Sequence, residues 1–381
     1  MPENWFVSEL VTIIRAEIGR GGSIPFARFM ELALYHPQWG YYEASRERVG
    51  FKGDFYTSVS TGELFGQLLA FRFAGWLAAL PAGAEGVQIV EAGAHDGRLA
   101  QDIIAWLRQH RPEIYERLHY WIIEPSAARQ GWQHERLAEF GERFQWFERL
   151  PAASGGGNGP GPVRGIIFSN ELLDAFPVHR LGWDAAGQHW FEWSVTVEGD
   201  RFVWVKTAAP VELLKGHVVL PEELLRVLPD GYTIEICPAA AEWWRTAAGV
   251  LQQGRLLTFD YGFTTEEMIS PSRTKGTVRA YAKHQVGDDL LGHAGEQDLT
   301  AHVNFSTVQA AGELAGLKTE GYLTQPQFLT GILGEAVKDA AFQEWNASRT
   351  RQFQTLTHPQ HLGRAFKVLV QGRGNLTAKI A

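Results

Sequence analysis

Val90-Glu91-Ala92-Gly93-Ala94-His95-Asp96-Gly97, with apolar Val87–Ile89 before it and Leu99-Ala100-Gln101-Asp102-Ile103-Ile104 after it, reads as a buried strand, a glycine turn and an amphipathic helix. Such a unit opens a nucleotide-binding α/β layer. The dinucleotide pattern G-x-G-x-x-G places its second glycine where backbone must approach a pyrophosphate. Here that position carries His95, and the third glycine position carries Arg98. A Cβ at His95 crowds a diphosphate, which disfavours a nicotinamide dinucleotide and an oxidoreductase. A ligand with adenosine but no phosphate fits better, and S-adenosylmethionine is the common one.

Outward from this turn, strand and helix alternate. Tyr120-Trp121-Ile122-Ile123-Glu124 is a second strand stopped by Pro125, Phe144–Phe147 a short third, Gly165–Ser169 a fourth and Arg255–Phe259 a fifth, after a helix over Ala239–Gln252. Lys318–Leu323 and Phe366–Gln371 add two more strands, with a helix over Ser306–Ala315 ahead of them. Alternation of this kind predicts a parallel sheet with helices on both faces. Residues 1–85 read as a helical cap, with stripes at Leu10, Ile13, Ile14, Ile18 and at Phe26, Phe29, Met30, Ala33, Leu34, then a helix over Glu63–Leu80. Gln188–Val197 and Arg201–Thr207 flank Glu198-Gly199-Asp200 as a β-hairpin. With a helix near Glu222–Leu228 it forms an insertion over 181–230, leaving 86–180 and 231–381 as the core. Ser154–Pro162 is glycine-rich, but no Lys-Ser/Thr and no helix start follow it, so it reads as a surface connection and not a phosphate loop.

The chain has 381 residues, 45% of them hydrophobic and 20% charged, and a formal charge of −8 that argues against a general affinity for nucleic acid. One cysteine, Cys237, excludes an internal disulfide and suits a reducing compartment. No run approaches the roughly 18 apolar residues of a membrane helix. Glu3 and Glu9 spoil a transit-peptide reading, so a cytoplasmic location without membrane contact is expected. The histidines near Glu296 and Asp298 show no zinc spacing, so no metal is expected. Fourteen tryptophans, several of them in Trp183, Trp190, Trp193, Trp204 and the pair Trp243–Trp244, read first as sheet packing and second as a wall around a groove.

In a doubly wound sheet, ligands bind at the carboxyl ends of strands near the switch point. The strand-end residues are Glu91, Glu124, Ser169-Asn170-Glu171 and Asp260-Tyr261. Glu124 can accept both hydroxyls of a ribose. Glu91 holds the glycine turn or meets an ammonium, and Gly93 and Gly97 bring backbone close to the amino-acid part of the ligand. Methyl transfer from a sulfonium needs positioning more than acid–base machinery. Glu171 is the candidate for binding and orienting a cationic acceptor such as a guanidinium. Asp260 joins it from the neighbouring strand, with Tyr261 and Phe263 as walls. Asp174 reads as a helix-start carboxylate. The polar stretch Gly295–Thr300 suggests the lining of a groove.

Several longer segments carry a resemblance. They are Phe29–Pro37 leading to Gly40-Tyr41-Tyr42, Lys52–Ser58, Asn170–Val178, Asp260-Tyr261-Gly262 and Gly295–Val303. Together they resemble the MidA-like family of S-adenosylmethionine-dependent methyltransferases, which includes the mitochondrial complex I assembly-factor protein arginine methyltransferases. The resemblance implies a Rossmann-like class I methyltransferase sheet with an N-terminal helical cap and a β-hairpin/helix insertion. It also implies methylation of arginine in a protein or peptide. Gly53, Asp54, Phe55, Tyr56, Thr57 and Ser58 then fold over the cofactor as a lid, and Ser169 and Asn170 join Glu91, Gly93, Gly97 and Glu124 around it. Relatives in that family usually carry glycine where His95 stands, so His95 should narrow the approach to the methionine part. A small-molecule or modified-peptide acceptor, or a non-catalytic S-adenosylmethionine-binding assembly factor docking through the hairpin, are the alternatives. A homodimer is compatible with either.

Overall fold

The apolar run that opens the glycine-turn unit is buried along its whole length because helices cover both faces of the sheet it joins. The computed structural model describes residues 9–44, 57–80, 86–150, 161–217, 220–282, 285–363, 366–374 and 376–380. Of the expected features, Gly53–Tyr56 of the lid and Ser154–Pro160 of the glycine-rich connection lie outside them.

The chain enters through α1 (Glu9–Gly21), with Leu10, Ile14 and Ile18 as its buried stripe. Then come β1 (Ile24–Pro25), α2 (Phe26–Tyr35) and, past the His36-Pro37 break, α3 (Tyr41–Ala44). The apolar α4 (Leu64–Ala78) is covered on almost every side. The first alternating half is β2 (Val87–Ala92), α5 (Arg98–His110), α6 (Pro112–Tyr115), β3 (Leu118–Ile123), α7 (Ala127–Leu137), β4 (Phe144–Phe147) and β5 (Val163–Asn170). A meander follows in β6 (His179–Asp184), β7 (His189–Glu198) and β8 (Arg201–Ala208), then α8 (Val211–His217), α9 (Glu222–Leu225) and β9 (Thr233–Ile236). The chain returns to the core through α10 (Pro238–Val250) and β10 (Leu251–Phe263). Short pieces come next: α11 (Thr265–Met268), β11 (Arg279–Ala282), β12 (Gln285–Gly287), β13 (Asp298–Thr300) and β14 (Val303–Asn304). The last elements are α12 (Phe305–Leu314), β15 (Lys318–Thr324), α13 (Gln325–Ala336), α14 (Ala347–Thr357) and β16 (Phe366–Arg373).

The central sheet runs β4-β3-β2-β5-β10-β16-β15. Its first five strands are parallel. The expectation of a parallel sheet needs one correction, because β16 is antiparallel to both its neighbours. An apolar strand pattern carries burial and not direction, so Phe366–Gln371 could not reveal this beforehand. Alternate side chains feed two cores. Ile89, Phe168 and Leu257 pack under α4, α5 and α13, while Val90, Ile167 and Leu256 pack under α10 and α12. β2 lies between β3 and β5, so the chain winds away from it in both directions and leaves a crevice at its carboxyl end.

The expected hairpin is β7–β8, and it does not project alone. It belongs to a five-stranded antiparallel sheet in which β1 from the N-terminal cap pairs β7, and β9 pairs β6. Its tryptophans are therefore packing residues. Trp183 meets Trp190 at 5.2 Å and Trp193 meets Trp204 at 6.3 Å between ring centres. The polar Gly295–Thr300 stretch does not line the cavity: β13 pairs β11, Gln297, Asp298 and Leu299 are buried, and Glu296 faces outward. Among the described residues no helix is long and apolar enough to cross a membrane.

Candidate active site

At the carboxyl end of β2 the crevice opens into a cavity of about 970 Å³. The glycine turn forms its floor. Gly93 sits at φ +74°, and a Cβ there would meet Leu172 Cδ1 at 2.9 Å, so only glycine leaves this cradle open. Gly97, at φ +82°, starts α5 without itself lining the cavity. His95 lines it, held in the left-handed region at φ +46°, a strained conformation for a residue with a side chain. Its imidazole lies beside Asp96, Nδ1 to Oδ1 3.8 Å, and Trp132, while its carbonyl accepts a bond from Gln133 Nε2 at 2.8 Å.

Two buried carboxylates border the turn. Glu91, next to last in β2, accepts the Tyr120 hydroxyl at 2.6 Å and is pushed by burial up to about 7. Glu124 follows β3 and is 1% exposed. Its Oε1 accepts from Arg129 Nε at 2.9 Å and from the Ser126 N–H at 3.0 Å, so that oxygen is engaged. Its Oε2 receives only Gln133 Nε2, at 3.3 Å, and is the oxygen left for an incoming hydroxyl. Capture of a ribose by both oxygens is thus narrowed to one. Burial still raises this carboxyl above its ordinary value, against the pull of Arg129. Arg129 and Gln133 escaped the sequence reading, although their i, i+4 spacing on the helix after Glu124 places both on one face.

β5 contributes Asn170 and Glu171. Glu171 stands at φ +52°, its N–H donating to the Phe259 carbonyl at 2.9 Å. Its Oε1 accepts from the Ser58 N–H at 3.2 Å and from Asn170 Nδ2 at 3.0 Å. Glu171 Oε2 and Asn170 Oδ1 are buried with no hydrogen-bond partner among the described residues. The side chain keeps some surface open to the cavity while protein surrounds it, and burial pushes its carboxyl up to about 8. Thr57 lines the cavity too, whereas Ser58 faces away from it and donates through Oγ to Gln325 Oε1 at 3.1 Å.

Four expected positions are corrected. Asp260 is fully buried and outside the cavity lining; its carboxylate accepts from the N–H groups of Leu172 (3.2 Å), Leu173 (2.8 Å) and Tyr261 (2.9 Å). It braces the loop that carries Glu171. Ser169 is buried within the sheet, donating to Thr258 Oγ1 at 2.8 Å. Tyr261 packs on Phe366 and Phe263 stacks on His302, so neither walls the cavity. That part is taken by Tyr35 and Tyr42 from the cap, with Phe176 and Trp243. Tyr42 donates to Asp298 Oδ1 at 2.8 Å, which ties the cap to β13. Asp174 lies in the short turn Leu173–Ala175, and burial together with Asp260 holds its carboxyl well above the ordinary range.

Residues 68–323 match the family of S-adenosyl-L-methionine-dependent methyltransferases. The chain is similar to the mitochondrial protein arginine methyltransferase NDUFAF7 homolog of Drosophila melanogaster, with 27% identity over 407 residues covering 96% of this chain and 85% of the relative. It is also similar to mitochondrial protein arginine methyltransferase NDUFAF7 of Homo sapiens, with 25% identity over 397 residues covering 94% and 82%. Among solved structures, a Burkholderia thailandensis protein crystallised with S-adenosyl-homocysteine superposes with a TM-score of 0.81 at 29% identity, covering 97% of this chain and 93% of that one.

Proposed function

This chain belongs to the S-adenosyl-L-methionine-dependent methyltransferase family, and we propose that its acceptor is an arginine side chain of a protein or peptide. The observation that carries the proposal is that Glu171 and Asn170 both line the cavity, while Glu171 Oε2 and Asn170 Oδ1 have no hydrogen-bond partner among the described residues. A guanidinium offers a planar fork of N–H donors that suits two such acceptors at once. Burial makes an isolated Glu171 carboxylate costly, and a cation beside it reverses that cost. The names of the curated relatives point to the same acceptor.

The residues present fit the donor. Gly93 keeps the cradle open, and Glu124 Oε2, which accepts a single 3.3 Å bond among the described residues, would receive a sugar hydroxyl. Glu91 would face the ammonium of the methionine part, with Gly97 setting the turn and Thr57 covering the site from the cap. S-adenosylmethionine supplies an already activated methyl group when bound, so the protein's task is alignment and exclusion of water. Tyr35, Tyr42, Phe176 and Trp243 exclude water. Glu171 and Asn170 aim the acceptor nitrogen, and Asp260 fixes the loop on which Glu171 sits. The single thiol, Cys237, is free and is pushed by burial up to about 11, so it stays unreactive; a reducing compartment, the cytoplasm, is the setting proposed.

Incubating the protein and a cell lysate with isotopically labelled S-adenosylmethionine, followed by peptide mass spectrometry, tests this. Labelled methyl groups on arginine are the expected result. Label confined to small molecules or to other residue types overturns the arginine assignment.

A further inference from the structure

The cavity does not stop at the strand ends. Its lining also takes in Arg28 and Glu31 of α2 and His179, the first residue of β6. The His179 ring is held from behind. Its Nδ1 lies 2.6 Å from Oε1 of Glu192, whose side chain is 3% exposed. Leu181 stands opposite Glu192 across β6 and β7, so His179 and Glu192 are diagonal neighbours on one face of the sheet. A carboxylate can only accept, so the proton of a neutral ring sits on Nδ1 and the lone pair on Nε2. That second nitrogen has no hydrogen-bond partner among the described residues, and a quarter of the side chain stays open. Arg28 does not compete for the ring, because it is paired with Glu17 and Glu31, each at 2.8 Å.

Methylating a guanidinium leaves a product that is still a cation, so one proton must leave the nitrogen. Glu171 is poorly suited to take it, since protonation would remove the charge that holds the acceptor. Two tasks call for two groups with different surroundings. We propose that His179 is a catalytic residue whose Nε2 receives this proton, with Glu192 as the positioning residue that fixes its tautomer. The step balances. The nitrogen lone pair forms the N–C bond, the methyl–sulfur bond breaks with its electron pair staying on sulfur, and the N–H proton moves to Nε2 as the imidazolium pairs with Glu192. The proposal rests on the arginine reading above.

The test has two arms. In the first, 15N NMR of histidine-labelled full-length protein reads the ring of His179; the Nδ1–H tautomer is expected, and Glu192→Leu, which removes the acceptor, should lose it. An Nε2–H tautomer in the unaltered protein overturns the proposal whether or not an acceptor is known. In the second, labelled methyl transfer to an arginine-centred peptide library is timed for His179→Gln and Glu192→Gln, alongside calorimetric binding of S-adenosylmethionine. For His179→Gln, kcat should fall about a hundredfold or more, with donor affinity and peptide KM within about threefold. Glu192→Gln should lower kcat in the same way, and Glu192→Asp should restore part of it. Unchanged kcat in His179→Gln overturns the proposal and leaves the arginine reading standing. No labelled peptide with the unaltered protein overturns the arginine reading instead, and with it the proton acceptor's assigned partner.

Discussion

Glu171 joins a left-handed backbone, at φ +52°, to a carboxylate with one oxygen anchored and the other without a hydrogen-bond partner among the described residues. The strain is held by the Phe259 carbonyl and by the Asp260 brace beneath the loop. Replacing Glu171 with Gln removes the charge and keeps the shape. Donor binding should survive while methyl transfer falls by about 10- to 100-fold, the worth of one charge-assisted hydrogen bond of about 1.5–3 kcal/mol. Rates with labelled donor, paired with calorimetry, check this, and undiminished turnover would refute the role. At Glu124 the change to Ala should weaken donor binding by a similar factor; an unchanged affinity by calorimetry would remove that residue from the site. Both residues were legible beforehand because each directly follows a strand beside the switch point. Asp260 was equally legible as a strand-end acid, yet its oxygens are spent on three backbone N–H groups. Residue type and strand position reveal that a carboxylate is near a site, and not which way it faces.

At the scale of elements, β5 carries the site between β2 and β10, and the fit along it is tight. A Cβ at Gly165 would lie 1.9 Å from the Gln88 carbonyl oxygen of the neighbouring strand. Gly165→Ala therefore must move backbone in the centre of the sheet, and a loss of about 3 kcal/mol or more is expected, read as a lowered urea midpoint. A midpoint equal to that of the unaltered protein would show that the sheet yields there. Periodicity placed the long elements to within a few residues, as with Tyr120–Glu124 against the observed Leu118–Ile123. It missed α13, although Thr324 and Gln327 form a capping box there with a proline in the first turn. The three-stranded sheet of β11, β12 and β13 was illegible, since runs of three or four residues are too short to show alternation.

Across the whole molecule, buried acids set the pH response. Burial lifts Glu171 to about 8 and both Glu91 and Asp260 to about 7, so the native state holds protons that the unfolded chain has already released. Stability from these groups is present at low pH and is lost as pH rises towards those values. Asp96, lowered by His95 and Arg136, and His302, lowered by burial to about 4, act in the opposite sense, but only at more acid pH. Between about pH 6.5 and 8 the ligand-free protein should lose roughly 2 kcal/mol, a fall of a few degrees in Tm by calorimetry. A flat or rising Tm over that window would contradict the burial of these carboxyls. What the sequence alone determined was the alternating core, the glycine turn and the strand-end acids, because strand and helix periods and turn chemistry are local. Only the tertiary structure decided that β16 runs antiparallel, that cap tyrosines replace Tyr261 and Phe263 as walls, and that Glu192 stands behind His179. Strand direction, side-chain facing and contacts between distant segments arise when elements pack, and no local pattern encodes them.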